Sequence, residues 1–380
     1  MTTADLSNGT SNGSVTPPPP SSFRRIWIGG TSGLARTYFN AFQNSNDGRH
    51  TQQLDDSDEP WLVTGHQPQP PAWMAHFPGL HYYPLDFVRP SCDNNNNDKA
   101  ASFQRQALLR QCNHVQQVVI SIRPPLVDRQ TFAQAATLHN QMITGLSDFL
   151  QQLIEVTTRA SFNLHILHVS SIAAIDHVQL QYLRSEASVK DPSSDSLYHP
   201  YDRFKRRCEE VLQDMVEAHS ALRLTNVRLG AIFSDDPRCI QCHALALQAR
   251  VGCYLRTRID CNSARNVAVL LHCMLMSTHV PAQRLRTFYY TRPLSWPGPV
   301  PYGLYLQAYR RAHDIWVYVW IPVLLVQWVV AWVHYVAQRY PHWPFVQSVD
   351  YLLQVTRRGE CRHSYICSYI IREMFVVSLT

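Results

Sequence analysis

At 380 residues the chain exceeds a typical single domain, though large α/β folds reach about 200–250 residues in one unit. Charged residues make up only 16% of it, below the roughly 25% of average soluble proteins, which points to a surface that partly meets lipid or a hydrophobic ligand. A net charge of +6 with no basic block argues against a nucleic-acid partner, and ten scattered cysteines without framework spacing read as reduced thiols facing the cytosol.

Residues 1–22 are rich in Ser, Thr and Asn and end in a proline run, the composition of a disordered tail rather than of a signal peptide. RRIWIGG (24–30) is a short apolar run closing on glycines, and TSGLARTYFNAF continues it with helical character. WLVTG (61–65) and HYYPLDFV (81–88) are strand candidates, DKAASFQRQALLRQ (98–111) a helix and HVQQVVISI (114–122) a strand. In 131–155, Leu138, Met142, Leu146, Phe149, Leu150 and Leu153 recur at helical spacing. LHILHVSS (164–171) is apolar enough for a buried strand. From 199 a helix carries Phe204, Cys208, Val211 and Met215 on one side, and TNVRLGAIF (225–233) is a further strand. Strands alternating with helices predict an α/β fold with a Rossmann-type, doubly wound parallel sheet. The divisions expected are a tail over 1–22, a dinucleotide-binding domain over 23–235 and a smaller substrate-binding region over 236–314. An apolar membrane-associated helix over 315–337 and a C-terminal segment over 338–380 returning to the fold complete them.

Ligands of such sheets sit beyond the carboxyl ends of the strands, and the chemistry-bearing residues fall there. Gly29, Gly30, Thr31, Ser32, Gly33 and Leu34 form a strand–turn–helix junction where small residues admit a pyrophosphate to unpaired helix N–H groups. No acidic residue closes the second strand; His66 and Gln67 stand nearest, so NAD and NADP are not separated, and Asp86 after the next strand is a candidate for the adenine side. Tyr201 and Lys205 share a helix face at i and i+4. A phenol of reference pKa near 10 is a poor base at neutral pH, and a neighbouring ammonium favours its ionised form. Ser171, at a strand end, supplies a hydroxyl that can orient a substrate oxygen. Arg203, Lys205, Arg206 and Arg207 read as a solvated face of the same helix. CIQCH (239–243) has the haem-attachment pattern, yet no export signal opens the chain, and Cys239, Cys242, Cys253 and Cys261 lack the second CxxC of a zinc site, so no metal is expected.

IGGTSGLA, LHVSSIAAI, YDRFK and NVRLGAIFSDD, in this order and spacing, resemble the short-chain dehydrogenase/reductase superfamily in its extended form. RIDCNSARNVAVLLHCML, TFYYTRPLSWPGPVPYGLYLQAYRR and YLLQVTRRGECRHSYICSYIIREMF are similar to segments of the 3β-hydroxysteroid dehydrogenase/isomerase and sterol-4α-carboxylate 3-dehydrogenase branch. The resemblance, over roughly 24–375, implies NAD(P)-dependent oxidation of a 3β-hydroxyl on a steroid or sterol-like lipid. It implies that Ser171 polarises the substrate oxygen, Tyr201 is the acid/base, Lys205 holds the nicotinamide ribose, and Asn140 supports the proton relay. Two departures stand out: ISIRPPLVD places Arg123, Pro124 and Pro125 against the cofactor cleft, and Leu229 stands where a proline is common. On the same fold, a nucleotide-sugar epimerase or dehydratase and a non-catalytic NAD(P)-sensing protein are the alternatives.

Residues 315–337 run 23 positions without a formal charge, long enough to span a bilayer of about 30 Å. Pro322 and Gln327 also suit a kinked helix lying in the interface, and a buried wall of a substrate cavity is a third reading. The expected partners are therefore a sterol-like small molecule and a membrane, at the endoplasmic reticulum with the catalytic domain facing the cytosol, with a homodimer as the expected assembly.

Overall fold

In the computed structural model of the chain, the structure describes residues 22–42, 60–88, 105–124, 132–160, 163–174, 193–197, 200–234, 258–259, 261–277, 283–290 and 300–301, with 307–308, 310–312, 328, 332, 335–336 and 339–340 beyond them. The chain opens with β1 (Arg25–Ile28), α1 (Gly33–Phe42), β2 (Trp61–Gly65), a 3-10 turn (Ala72–His76) and β3 (Leu80–Pro84). A short helix α2 (105–111), β4 (Gln117–Ile120), α3 (Phe132–Arg159) and β5 (Leu164–Ser171) follow. After the 3-10 turn Ile172–Ala174 come α4 (Pro200–Ala218), β6 (Leu222–Leu229) and β7 (Ala231–Phe233). Then come β8 (Arg258–Ile259), β9 (Cys261–Ser263), α5 (Ala264–Met276), β10 (Leu285–Tyr290) and β11 (Val300–Pro301).

Seven strands form one sheet in the order β10-β6-β5-β4-β1-β2-β3, every pair parallel. The order reverses direction between β1 and β4, which opens a crevice at their carboxyl ends. Central strands reading RIWI and QVVI are almost wholly buried, as expected of a parallel sheet covered on both faces. One face packs Ile26, Ile28, Val118, Ile120 and Ile166 against Leu146, Phe149 and Leu150 of α3 and Phe204, Cys208 and Leu212 of α4. The other packs Trp27, Val63, Val119, Leu167 and Val227 against Ala35, Tyr38 and Phe39 of α1 and Val267, Ala268 and Leu271 of α5. Each such large side chain contributes about 1.5–3 kcal/mol by leaving water. Ser263 caps α5, its Oγ accepting from Asn266 N at 3.1 Å.

Several boundaries differ from the sequence expectations, each for a local reason. The strand expected over 225–233 begins at Leu222 and breaks at Gly230; beyond it β7 leaves the sheet and pairs with β9. The helix expected to end near 155 runs to Arg159, where the Thr157 hydroxyl folds back onto the Leu153 carbonyl at 3.0 Å. Leu285–Tyr290, of which only 287–290 belong to a family segment read in the sequence, form the seventh strand and sit half-buried at the sheet edge. Among the described residues no helix is long and apolar enough to cross a membrane. Of 315–337 only Trp328, Trp332, Tyr335 and Val336 are described; most of the predicted apolar helix, the tail before Ser22, the CIQCH stretch and the segment after Tyr340 lie outside the described residues.

Candidate functional site

The crevice is built first from glycines. Gly29 has φ +74°, a left-handed conformation that L side chains rarely adopt, and a Cβ there would stand 2.9 Å from the Ser121 carbonyl oxygen. At Gly30 a Cβ would stand 2.6 Å from Val63 Cγ1. The turn is tied to its neighbours: Gly30 N donates to Thr64 O and Ser121 N to Ile28 O, both at 2.9 Å. Trp27 Nε1 donates to Ser121 Oγ at 2.7 Å, and that hydroxyl donates to Gly29 O at 3.2 Å. Thr31 lies against Gly65, whose Cβ would meet Thr31 Cγ2 at 2.4 Å. Ser32 Oγ accepts from Ala35 N at 3.4 Å as α1 begins at Gly33, and Leu34 turns into the core. Gly29 and Gly30 are thus demanded by close packing on Ser121, Val63 and Trp27, and the turn they make leads into a helix N-terminus, a junction whose unpaired N–H groups suit the pyrophosphate of a dinucleotide. Asp86 lies beyond the edge strand β3, exposed, its Oδ1 accepting from Val88 N at 3.0 Å.

Helix α4 brings the second set. Lys205 is buried to 5% exposure, and its Nζ donates to Ile122 O at 2.9 Å and Val169 O at 3.2 Å. Ile122 follows Ser121, so this ammonium stands beside the glycine turn at the carboxyl ends of β4 and β5. Burial pushes Lys205 down to about 8 from 10.5; Cys208 and Glu209 push it back up, and Arg123 adds to the fall. Ser171 closes β5, half-buried, and Tyr201 is half-buried one turn before Lys205 in α4. The 3-10 turn after Ser171 packs on α4, which joins these two elements. Asn140 is exposed on α3, while its neighbour His139 is buried with its ring 5.1 Å from Phe204 of α4. Arg123 is exposed and Pro124 buried just past β4.

The basic cluster expected on a solvated helix face is divided by the fold. Arg203 and Arg207 are exposed, but Lys205 and Arg206 are buried, because α4 lies flat on the sheet and turns one of every pair inward. What the sequence reading missed is the countercharge. Glu209, fully buried, receives Nη2 of Arg228 at 2.5 Å and Nη1 of Arg206 at 3.2 Å, and Ser170 Oγ donates to its Oε1 at 2.5 Å. Arg228 also donates to the Tyr289 hydroxyl on β10. Just below, His168 Nδ1 lies 2.9 Å from Asn226 Oδ1. Burial first, then the Lys205 charge, push His168 down to about 3, and its Nε2 has no hydrogen-bond partner among the described residues. The signal was present as a period: Glu209 stands four residues after Lys205, and His168/Ser170 and Asn226/Arg228 alternate along two adjacent strands. Among the described residues no group of three or more His, Cys, Asp or Glu is placed to hold a metal ion.

No protein-family model matches the chain, and no curated protein sequence matches it. Solved structures do match in shape. The terminal R domain from the myxalamid PKS-NRPS biosynthetic pathway superposes with a TM-score of 0.54 at 13% identity, covering 88% of this chain and 81% of that one. TunA, an NAD-dependent NDP-hexosamine 5,6-dehydratase involved in tunicamycin biosynthesis, gives 0.52 at 14% identity over 78% and 84%. MoeE5 in complex with UDP-glucose and NAD gives 0.50 at 12% identity over 78% and 84%. At these identities the likeness is one of fold. The neighbours bear out the expected α/β fold with its parallel sheet, and nothing in them extends to the 3β-hydroxysteroid branch.

Proposed function

We propose that the chain is an NAD(P)-dependent enzyme that works at a CH–OH centre, with a nucleotide-linked sugar as the first substrate class to test. The observation that carries the reading is Lys205, an ammonium buried to 5% exposure and held by carbonyls of Ile122 and Val169 beside the Gly29–Gly30 turn. A cation is seldom buried in this way without a task, and perturbed groups cluster at functional sites. The neighbours TunA and MoeE5, described with NAD and nucleotide-linked sugars, support both the cofactor and the substrate class.

When bound, the nicotinamide supplies a hydride acceptor. Gly29 to Leu34 and the α1 N-terminus would hold the pyrophosphate, and Lys205 would take the nicotinamide ribose. Tyr201, as phenolate, takes the proton of the substrate hydroxyl while the carbinol carbon gives up its hydride. Lys205, one turn away, favours that phenolate over the neutral phenol. Ser171 donates a hydrogen bond to the same substrate oxygen and fixes its direction. Asn140, exposed on α3, would support the proton's exit to solvent.

The sterol reading keeps one observation of its own. Trp328, Trp332 and Tyr335 are 70%, 57% and 67% exposed, and their spacing puts them on one face of a helix, with exposed Arg339 continuing the row. Indole, phenol and guanidinium groups in such a row suit a lipid interface, where a 3β-hydroxysterol would be met. Both readings are tested with the full chain, NAD⁺ and NADP⁺, UDP-sugars and 3β-hydroxysterols. Reduced-nicotinamide absorbance reports net oxidation, and product chromatography reports redox-neutral epimerisation or dehydration. Turnover is expected to fall about 100- to 10,000-fold in Tyr201→Phe. Nucleotide binding with no turnover on either class, and no difference between the two proteins, would favour a non-catalytic sensor instead.

A further inference from the structure

The peptide unit between Gly29 and Gly30 is held at both ends. Its N–H, on Gly30, donates to Thr64 O at 2.9 Å, and its carbonyl, on Gly29, accepts from Ser121 Oγ at 3.2 Å. With glycine on either side, no side chain fixes the orientation of this unit, so its two hydrogen bonds carry that task. The first continues the parallel pairing of β1 with β2, where Ile28 stands opposite Thr64. The second depends on a single hydroxyl hydrogen, and a serine hydroxyl rotates to suit its surroundings. Here its direction is set from behind. Trp27 Nε1 donates to Ser121 Oγ at 2.7 Å, which occupies a lone pair of that oxygen and leaves its hydrogen for Gly29 O. Trp27 is fully buried, its ring 5.0 Å from Tyr38, 5.4 Å from Phe39 and 6.0 Å from Trp61. The serine is anchored as well: Ser121 N donates to Ile28 O at 2.9 Å, and the next carbonyl, Ile122 O, accepts from Lys205 Nζ at 2.9 Å. The end of β4 is therefore bonded to both the glycine turn and the buried ammonium. A buried indole N–H needs an acceptor, and Ser121 supplies one, but the second bond, to Gly29 O, goes beyond that need.

We propose that Ser121, its hydroxyl aimed by Trp27, is a positioning residue of the nucleotide site, holding the Gly29–Gly30 peptide in the one orientation that a pyrophosphate meets. The inference rests on the reading that the glycine turn holds a dinucleotide. Apparent affinity scales with the fraction of molecules already in the binding-competent state, so a loosened peptide shows as weaker binding of any ligand that carries the pyrophosphate. It is tested without substrate, by calorimetric titration of the full chain with adenosine 5′-diphosphate, which carries that group, and with adenosine, which lacks it. Ser121→Ala should bind the diphosphate about 3- to 10-fold more weakly, the range of one hydrogen bond, and adenosine as the wild type does. Trp27→Phe should weaken the diphosphate by less. The double variant should be no weaker than Ser121→Ala alone, because both changes act through one hydroxyl. Thermal melts establish that the variants fold, and Trp27→Phe carries the test by itself where Ser121→Ala does not. Diphosphate affinity unchanged in both single variants, or a loss that adenosine shares equally, would overturn the proposal and leave the hydroxyl as a partner for the indole alone. Failure of the underlying dinucleotide reading looks different: the wild type binds neither NADH, NADPH nor the diphosphate.

Discussion

On the sheet face covered by α1 and α5, aromatic rings meet one another, Trp27 against Tyr38 at 5.0 Å and Phe39 against Trp61 at 5.5 Å, and the filling is apolar along much of its length. On the face covered by α3 and α4 the apolar filling stops short of the carboxyl ends of the strands. There His168, Ser170, Asn226 and Arg228 of the sheet meet Lys205, Arg206 and Glu209 of α4. Both faces are removed from water, so the difference is not one of exposure. The first needs only shape and volume. The second holds two arginines and a lysine around the buried carboxylate of Glu209, with Glu210 a further 3.4 Å partner of Arg206, and the charges there have hydrogen-bond partners. The costly face is the one that aims groups into the crevice, which is where a fold gives up stability for function.

The contrast can be broken most forcefully at Glu209. Glu209→Ala takes from buried Arg228 the carboxylate it is paired with, while Arg206 keeps Glu210 at 3.4 Å, and should cost about 3–5 kcal/mol in urea unfolding. Arg207→Ala, on the exposed side of the same helix with its side chain 53% accessible, serves as the control and should stay within about 1 kcal/mol. A second measurement sharpens it through pH. Lys205 has a folded pKa of about 8 against 10.5, so its contribution is fully present only above 10.5 and is lost as pH falls to 8. Wild type should therefore gain about 3 kcal/mol on Lys205→Met between those two pH values, followed by denaturant melts across the range. The smallest effect belongs to His168, pushed from 6.5 down to about 3, whose contribution is present above 6.5 and falls away toward acid. Between pH 7.5 and 5 wild type should lose about 2 kcal/mol that His168→Gln does not.

How much of this was legible in the sequence follows from the range of the forces involved. The strand–turn–helix at Gly29 and the β5 strand are local patterns, and the predicted bounds of 164–171 for β5 match those found. The α4 helix was legible from its apolar stripe, and so was the placing of Tyr201 and Lys205 one turn apart. The buried charge cluster was not, because a run of basic residues looks solvated until its partner is found, and Arg228 lies 19 residues beyond Glu209. Strand β10 was missed because an edge strand needs no clean alternation: all six of its residues are half-buried.

The strand order has a consequence for how the chain is made. β1, the first strand to leave the ribosome, lies inside the sheet; β2 and then β3 add on one side, and β4, β5, β6 and β10 add in turn on the other. Every new strand therefore meets an edge already complete, so the sheet can widen during synthesis without opening a finished pair, one parallel crossover at a time. At each step the growing edge presents unpaired backbone groups, and the last to be covered on that side is β6, which waits for a strand more than fifty residues downstream. A nascent chain paused between Leu229 and Leu285 would be the species most exposed to pairing with the wrong partner.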